Sequence, residues 1–203
     1  AGLKKENKAA IVVDNQSLDA LKWYPVDKDL SYNDIVHWVY DSLYELNIEC
    51  DVVDVNALVP ERYQMIAAPA LYSVSKETAD ALDRFVKEGG VLIGTFRSFA
   101  ADRNLSIYPD QKPHGLTGCF GMMYQQFTEP GRMRVKGKQV RYFAELLQAR
   151  EAETLAFYEH KYWGSYSAVT KHAYGRGDQL SLPGGGRTFY RKGLPERGED
   201  RAD

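Results

Sequence analysis

The residues most able to do chemistry sit around one turn. An apolar run ends in Gly94-Thr95-Phe96-Arg97-Ser98, where a strand-to-helix turn could lift Ser98 toward an acyl carbon. The G-x-S-x-G context of a serine nucleophile is missing, and a loop serine beside a strand end accounts for the same residues. Cys119 lies between Gly118 and Phe120 with His114 nearby, which allows a cysteine–histidine dyad and equally a small buried thiol. Glycoside cleavage needs two carboxylates facing each other across a sugar. Glu129, Glu145, Glu151, Glu153 and Glu159 are available, but no spacing marks a pair. Glu129 has the most suggestive setting, between aromatic residues and Pro130, although a loop carboxylate bonded to backbone amides reads the same way. His37, His114, His160 and His172 form no H-x-x-x-H or H-E-x-x-H pair, so no metal site is expected. Gly184-Gly185-Gly186 is not placed between a strand and a helix, so no phosphate loop, nucleotide or other cofactor is expected.

These residues need a scaffold, and hydrophobic periodicity supplies one. Lys8–Asp14 reads as a buried parallel strand, followed by a long polar and aromatic connection. Ser31 caps a helix over Tyr32–Leu46, with Ile35, Val39, Leu43 and Leu46 on one face. Ile48–Val55 and Met65–Ala68 read as strands. Ser75 caps a helix over Lys76–Glu88, burying Ala79, Leu82, Phe85 and Val86 before the Gly89-Gly90 stop, and Val91–Thr95 is a further strand. This alternation predicts an α/β fold: a flavodoxin-like, mostly parallel sheet with helices on both faces. In such sheets ligands meet the carboxyl ends of strands, here Asp14, the Asp54 region, Pro69–Ser73 and Phe96–Ser98.

Beyond residue 96 the rhythm breaks. Phe96–Pro130 reads mostly as loop. Gln139–Leu147 fits a helix burying Val140, Phe143, Ala144 and Leu147, or a strand burying Val140, Tyr142, Ala144 and Leu146. Glu153–Tyr158 and Ala168–Ala173 read as late strands. Residues 1–7 are expected to form an N-terminal extension, 8–177 the domain, and 178–203 a poorly ordered tail rich in glycine, arginine and proline.

Composition narrows the function classes. The chain has 203 residues and a net charge of −2 with interspersed signs, which argues against nucleic acid as partner. No apolar run approaches the roughly 20 residues that span a bilayer, and AGLKKENKAA has no signal-peptide pattern. With two cysteines, Cys50 and Cys119, a cytoplasmic protein with reduced thiols is expected.

Three segments together resemble the middle domain of the glycoside hydrolase family 42 β-galactosidases: KAAIVVDNQSLDALKW (8–23), ERYQMIAAPALYSVSKETADALDRFVKEGGVLIGTFRS (61–98), and KPHGLTGCFGMMYQQFTEP with the AETLAFYEHKYWGSYSAVTKHAYGRG block (112–130 and 152–177). The resemblance implies a class I glutamine amidotransferase-like fold without its cysteine, serving to trimerise the enzyme. The catalytic glutamates would lie on a separate (β/α)₈ barrel, which takes about 250 residues and cannot fit here. No catalytic residue is carried over. The implied partners are that barrel and the other subunits of a homotrimer, in an enzyme of carbohydrate metabolism that hydrolyses terminal β-galactosides. The sequence departs from the family pattern after residue 177, where a closing strand of alternating apolar residues is usual, and over Asn15–Leu21, where many relatives are tryptophan-rich.

Lys112–Pro130 fits no helix or strand period, yet it carries Phe120, Met122, Met123, Tyr124 and Phe127. That is the composition of an interface. His114, Phe120, Met122, Tyr124, Phe127, Glu129 and Arg97 are therefore candidate contact residues, with folding back onto their own sheet as the alternative. Two rival functions remain: an amidotransferase-like hydrolase using Ser98 or Cys119, and a sugar-binding module displaying Trp23, Trp38 or Trp163. Arg97 is expected to pair with a carboxylate across the domain or a subunit boundary.

Overall fold

The computed structural model describes residues 6–124 and 126–182. Seven strands form one sheet in the order β11-β12-β13-β4-β3-β1-β2. Strands β1 (Ala9–Val13), β2 (Cys50–Asp54), β3 (Met65–Ala68) and β4 (Val91–Thr95) run parallel. Past β4 the chain adds short ribbons: β5 (Met122–Met123) with β10 (Gln148–Ala149), β6 (Phe127–Thr128) with β9 (Ala144–Glu145), and β7 (Arg134–Val135) with β8 (Lys138–Gln139). It returns to the sheet as β11 (Glu153–Phe157), β12 (Ser167–Tyr174) and β13 (Gly177–Leu182).

Helices cover both faces. Helices α1 (Asn15–Trp23) and α2 (Tyr32–Glu45) pack on one side with Ile11, Ala67 and Ile93. Helix α3 (Lys76–Lys87) and the single turn α4 (Thr117–Phe120) pack on the other with Ala10, Val12, Ile66, Ala68 and Leu92. Successive strand residues thus feed opposite cores, as the pleat requires. The α2 cap is reciprocal: Ser31 Oγ accepts from the Asp34 N–H, and the Asp34 carboxylate accepts from the Ser31 N–H. In α3, Ser75 caps and Ala79, Leu82, Phe85 and Val86 are buried, as their spacing predicts. In α2 the buried face includes Trp38, while Leu46 falls beyond the helix end and is exposed.

Three sequence expectations are corrected. The connection after β1 is not irregular: Asn15–Trp23 is helix α1, nucleated by Asp14, whose carboxylate accepts the Ser17 N–H at 2.7 Å. Gln139–Leu147 is neither one helix nor one strand. It pairs at both ends in short ribbons, and Val140, Phe143, Ala144, Leu146 and Leu147 are all buried by loops that wrap the carboxyl edge. The boundary at 178 is also overturned. Residues 178–182 lie in β13, antiparallel to β12 and parallel to β4, with Leu180 and Leu182 buried. The rest of the expected tail lies outside the described residues.

Candidate functional site

The carboxyl ends of β3 and β4 turn through strained backbone. Ala70, Arg97 and Phe99 have φ of +42°, +62° and +59°, a region costly for residues with a side chain. Hydroxyls and amides hold the two turns to each other. Thr95 Oγ1 accepts the Ala70 N–H at 2.7 Å, Ser98 Oγ accepts from Leu71 N and donates to the Ala68 carbonyl, and Phe99 N–H donates to the Leu71 carbonyl. Tyr124 Oη donates to the Ser98 carbonyl at 2.8 Å. The strain persists because these partners over-determine the turn. Ser98 is buried, and its hydroxyl accepts from Leu71 N and spends its proton on the Ala68 carbonyl, so it serves as a link between the two turns.

Cys119 is likewise no nucleophile. Its thiol is buried and pushed up to about 12, chiefly by desolvation. His114 does not face it. The His114 ring stacks on Tyr108 at 3.4 Å between centroids and meets the Asp110 carboxylate at 2.8 Å. The histidine at Cys119 is instead His172, whose Nδ1 lies 3.0 Å from the Cys119 carbonyl oxygen.

Asp14 at the end of β1 is structural. It is buried, accepts from the Ser17 N–H and Oγ, and pairs with Arg103 at 3.0 Å. Ser17 Oγ accepts the Ser73 N–H in turn, so the β1, β3 and 102–103 loops are tied together. Arg103 sits in a loop without periodicity, so no pattern of residues marks it.

The interface residues divide. Phe120 (2% exposed), Met122 and Tyr124 are buried in their own domain, which corrects their reading as contact residues. Phe120 meets Phe99 edge-on at 5.6 Å and lies over Gly94, where a Cβ would come within 2.7 Å of its ring. The sequence already shows apolar residues here, but not that the Phe120 ring takes the side-chain space that Gly94 leaves open. Phe127 is 61% exposed, and Glu129 is exposed too. Arg97 and His114 are half-buried. Of the tryptophans, Trp38 is buried, Trp163 half-buried, and Trp23 78% exposed.

Beside the turn opens a cleft of about 330 Å³, with Tyr72, Arg97, Lys112, Phe127, Phe143 and Glu145 among its lining. Glu145, in β9, is 5% exposed, and its Oε1 accepts the Arg97 backbone N–H at 2.6 Å. Burial pushes its carboxyl up to about 8, with that hydrogen bond and the Arg97 charge opposing the shift. Arg97 therefore does meet a carboxylate, but through its backbone. Its guanidinium lies over the Tyr72 and Phe143 rings at 4.8 and 5.7 Å and donates to the Tyr24 carbonyl. Phe127 stacks on Phe143 at 5.0 Å and forms the outer lip. The sequence offered Glu145 only as one of five unpaired acids.

Two acids line this cleft: Glu145, bonded to the Arg97 N–H, and Asp110, held by His114. Among the described residues no group of three His, Cys, Asp or Glu side chains converges to hold a metal. What the fold and this edge define is a packed α/β domain whose most conspicuous turn serves structure. Residues 7–182 match the family model described as the β-galactosidase trimerisation domain, and the chain belongs to that family. It is 26% identical over 184 residues to β-galactosidase LacZ of Lactobacillus acidophilus, covering 87% of this chain and 27% of that protein. It is 28% identical over 158 residues to β-galactosidase BgaB of a Geobacillus species, covering 74% and 23%. The chain thus spans about a quarter of the length of these curated relatives. Among solved structures, β-galactosidase from Halorubrum lacusprofundi superposes with a TM-score of 0.84 at 25% identity, over 92% of this chain and 29% of that one. The Bacillus circulans sp. alkalophilus β-galactosidase gives 0.83 at 24% identity, over 92% and 30%, a likeness of fold.

Proposed function

We propose that this chain holds together the subunits of a homotrimeric β-galactosidase whose catalytic carboxylates are carried on a separate barrel domain, and that the parent enzyme hydrolyses terminal β-galactosides. The observation that carries this reading is the match to a trimerisation domain over residues 7–182, in a chain about a quarter as long as its β-galactosidase relatives. The strand order β2-β1-β3-β4 with parallel β13 beyond it fits a flavodoxin-like, amidotransferase-like ancestry, with Arg97 at the turn where such enzymes carry their cysteine. Two free cysteines suit a cytoplasmic setting, and the charge balance suits neither nucleic acid nor an anionic membrane. No helix among the described residues is long and apolar enough to cross a membrane.

The contact surface we assign is the carboxyl edge: Phe127, Glu129, Arg97 and His114, with the exposed Ile107 and Trp23 beside them. Exposed large apolar side chains clustered at one edge favour association. Sedimentation velocity across a concentration series tests this. Phe127→Ser is expected to reduce the oligomer while the monomer keeps its melting temperature. An unchanged distribution would remove this surface from the reading.

A further inference from the structure

Glu145 is a buried carboxyl that no part of the proposed assembly role explains. Among the described residues its carboxyl has one hydrogen bond, from Arg97 N–H. Tyr124 spends its hydroxyl proton on the Ser98 carbonyl, and Tyr158 donates to the Glu145 backbone carbonyl, not the side chain. Arg97 lays its guanidinium on aromatic rings and the Tyr24 carbonyl, with no ion pair to Glu145. Across the cleft, the Lys112 ammonium donates to the Tyr108 and Asp110 carbonyls, and the Asp110 carboxylate is held by His114. Among the described residues none of these cations forms an ion pair with Glu145.

A neutral carboxyl is tolerable in such a place; a buried carboxylate with one hydrogen bond is not. Ionisation must therefore be relieved by movement, and what can move is specified. Glu145 pairs with Phe127 in the two-residue β6–β9 ribbon. Its carbonyl accepts from Tyr158 Oη, and its carboxyl is attached to the Arg97 turn, already held at positive φ. Swinging the carboxylate into the open cleft releases the turn amide and loosens the strand that presents Phe127.

We propose that Glu145 makes association through this face proton-linked: with its carboxyl neutral, the Phe127 ribbon is set for docking, and with it ionised the ribbon loosens and subunits separate. This rests on the assembly reading above and assigns a regulation to the same surface. The raised position of the Glu145 carboxyl, about 8, puts the change in mildly alkaline solution. Burial moves both thiols, Cys50 and Cys119, upward and away from that range.

The test is sedimentation velocity of the whole chain at pH 6.5 and 9.5, with hydrogen exchange of the monomer at both. For wild type we expect the association constant to fall at least tenfold on raising the pH, with faster exchange at Arg97 and in β6. Glu145→Gln, which keeps an acceptor for Arg97 N–H and cannot ionise, should associate within twofold at both values and exchange alike. An equal pH response in wild type and Glu145→Gln, or none in wild type, overturns the proton linkage while leaving the docking face intact. A chain that stays monomeric, or a Phe127→Ser variant that associates as wild type at both pH values, overturns the docking face itself. If alkaline wild type loses its fold outright, by loss of the near-ultraviolet circular dichroism, the proposal of a local loosening also fails.

Discussion

Glu145 also makes a prediction about stability, and its sign follows from the direction of the shift. In the unfolded chain the carboxyl ionises near its ordinary value of 4.5; in the folded chain it keeps its proton to about 8. Its contribution is therefore fully present below pH 4.5, is lost progressively as pH rises toward 8, and is constant beyond. The difference corresponds to about 4–5 kcal/mol across the window. Unfolding by denaturant between pH 4.5 and 8.5 should show wild type weakening where Glu145→Gln stays flatter, so that the variant overtakes wild type near neutrality. Parallel curves would show that the site is already relieved by solvent. At Gly94 the packing is equally specific. A Cβ there would lie 2.7 Å from the Phe120 ring, so Gly94→Ala is expected to cost about 1–3 kcal/mol in thermal unfolding, by overpacking. Phe120→Ala opens the same gap from the other side and should cost about 3–5 kcal/mol, with no change in association at matched folded concentration. None of this was legible at the residue scale in the sequence. Ser98, Cys119 and Glu129 carried the recognisable chemistry, whereas Glu145 acquires its character from loops that bury it.

At the scale of elements, legibility followed periodicity. Strands β1, β3 and β4 have a buried apolar run, α2 and α3 have a buried stripe and a serine cap, and the structure places them within a few residues of expectation. Helix α1 was missed because its nine residues, NQSLDALKW, bury only Ser17, Ala20 and Leu21, too little for a stripe. Its start depends on a long-range network: Asp14 caps it while pairing with Arg103, 89 residues away. Asp14→Asn should keep most of the cap, whereas Asp14→Ala loses the cap and leaves Arg103 half-buried without its anion. The alanine variant is expected to be about 2–3 kcal/mol less stable than wild type, and the asparagine variant to fall between them. Equal losses would locate the whole effect in the ion pair. The segment 112–130 was misread for the opposite reason. Its aromatic and sulfur content does mark a contact, but the contact is with the domain's own sheet. α4 and β5 sit over the glycine gap in β4, and only Phe127, in the following ribbon, faces outward.

For the whole molecule, the decisive feature is where the last described strand goes. The parallel half of the sheet, β2-β1-β3-β4, and the antiparallel pair β11-β12 do not touch as strands; β13 lies between them and pairs with both. Composition hid this, because GDQLSL has only two large apolar residues and precedes a run of glycines. Yet Gln179 and Ser181 are buried beside Leu180 and Leu182, and the Gln179 amide donates to Ser181 Oγ at 3.1 Å, so polar residues fill core positions. A chain stopped after Gly177 would leave β4 and β12 with unpaired edges and expose the apolar residues β13 covers, a combination that invites edge-to-edge aggregation. It is expected to lose its cooperative thermal transition and to pellet on expression, while a chain stopped after Leu182 regains the transition. Five residues would then separate a split sheet from a closed one. A cooperative, soluble 1–177 fragment would instead mean that the antiparallel pair can dock on β4 without its intervening strand.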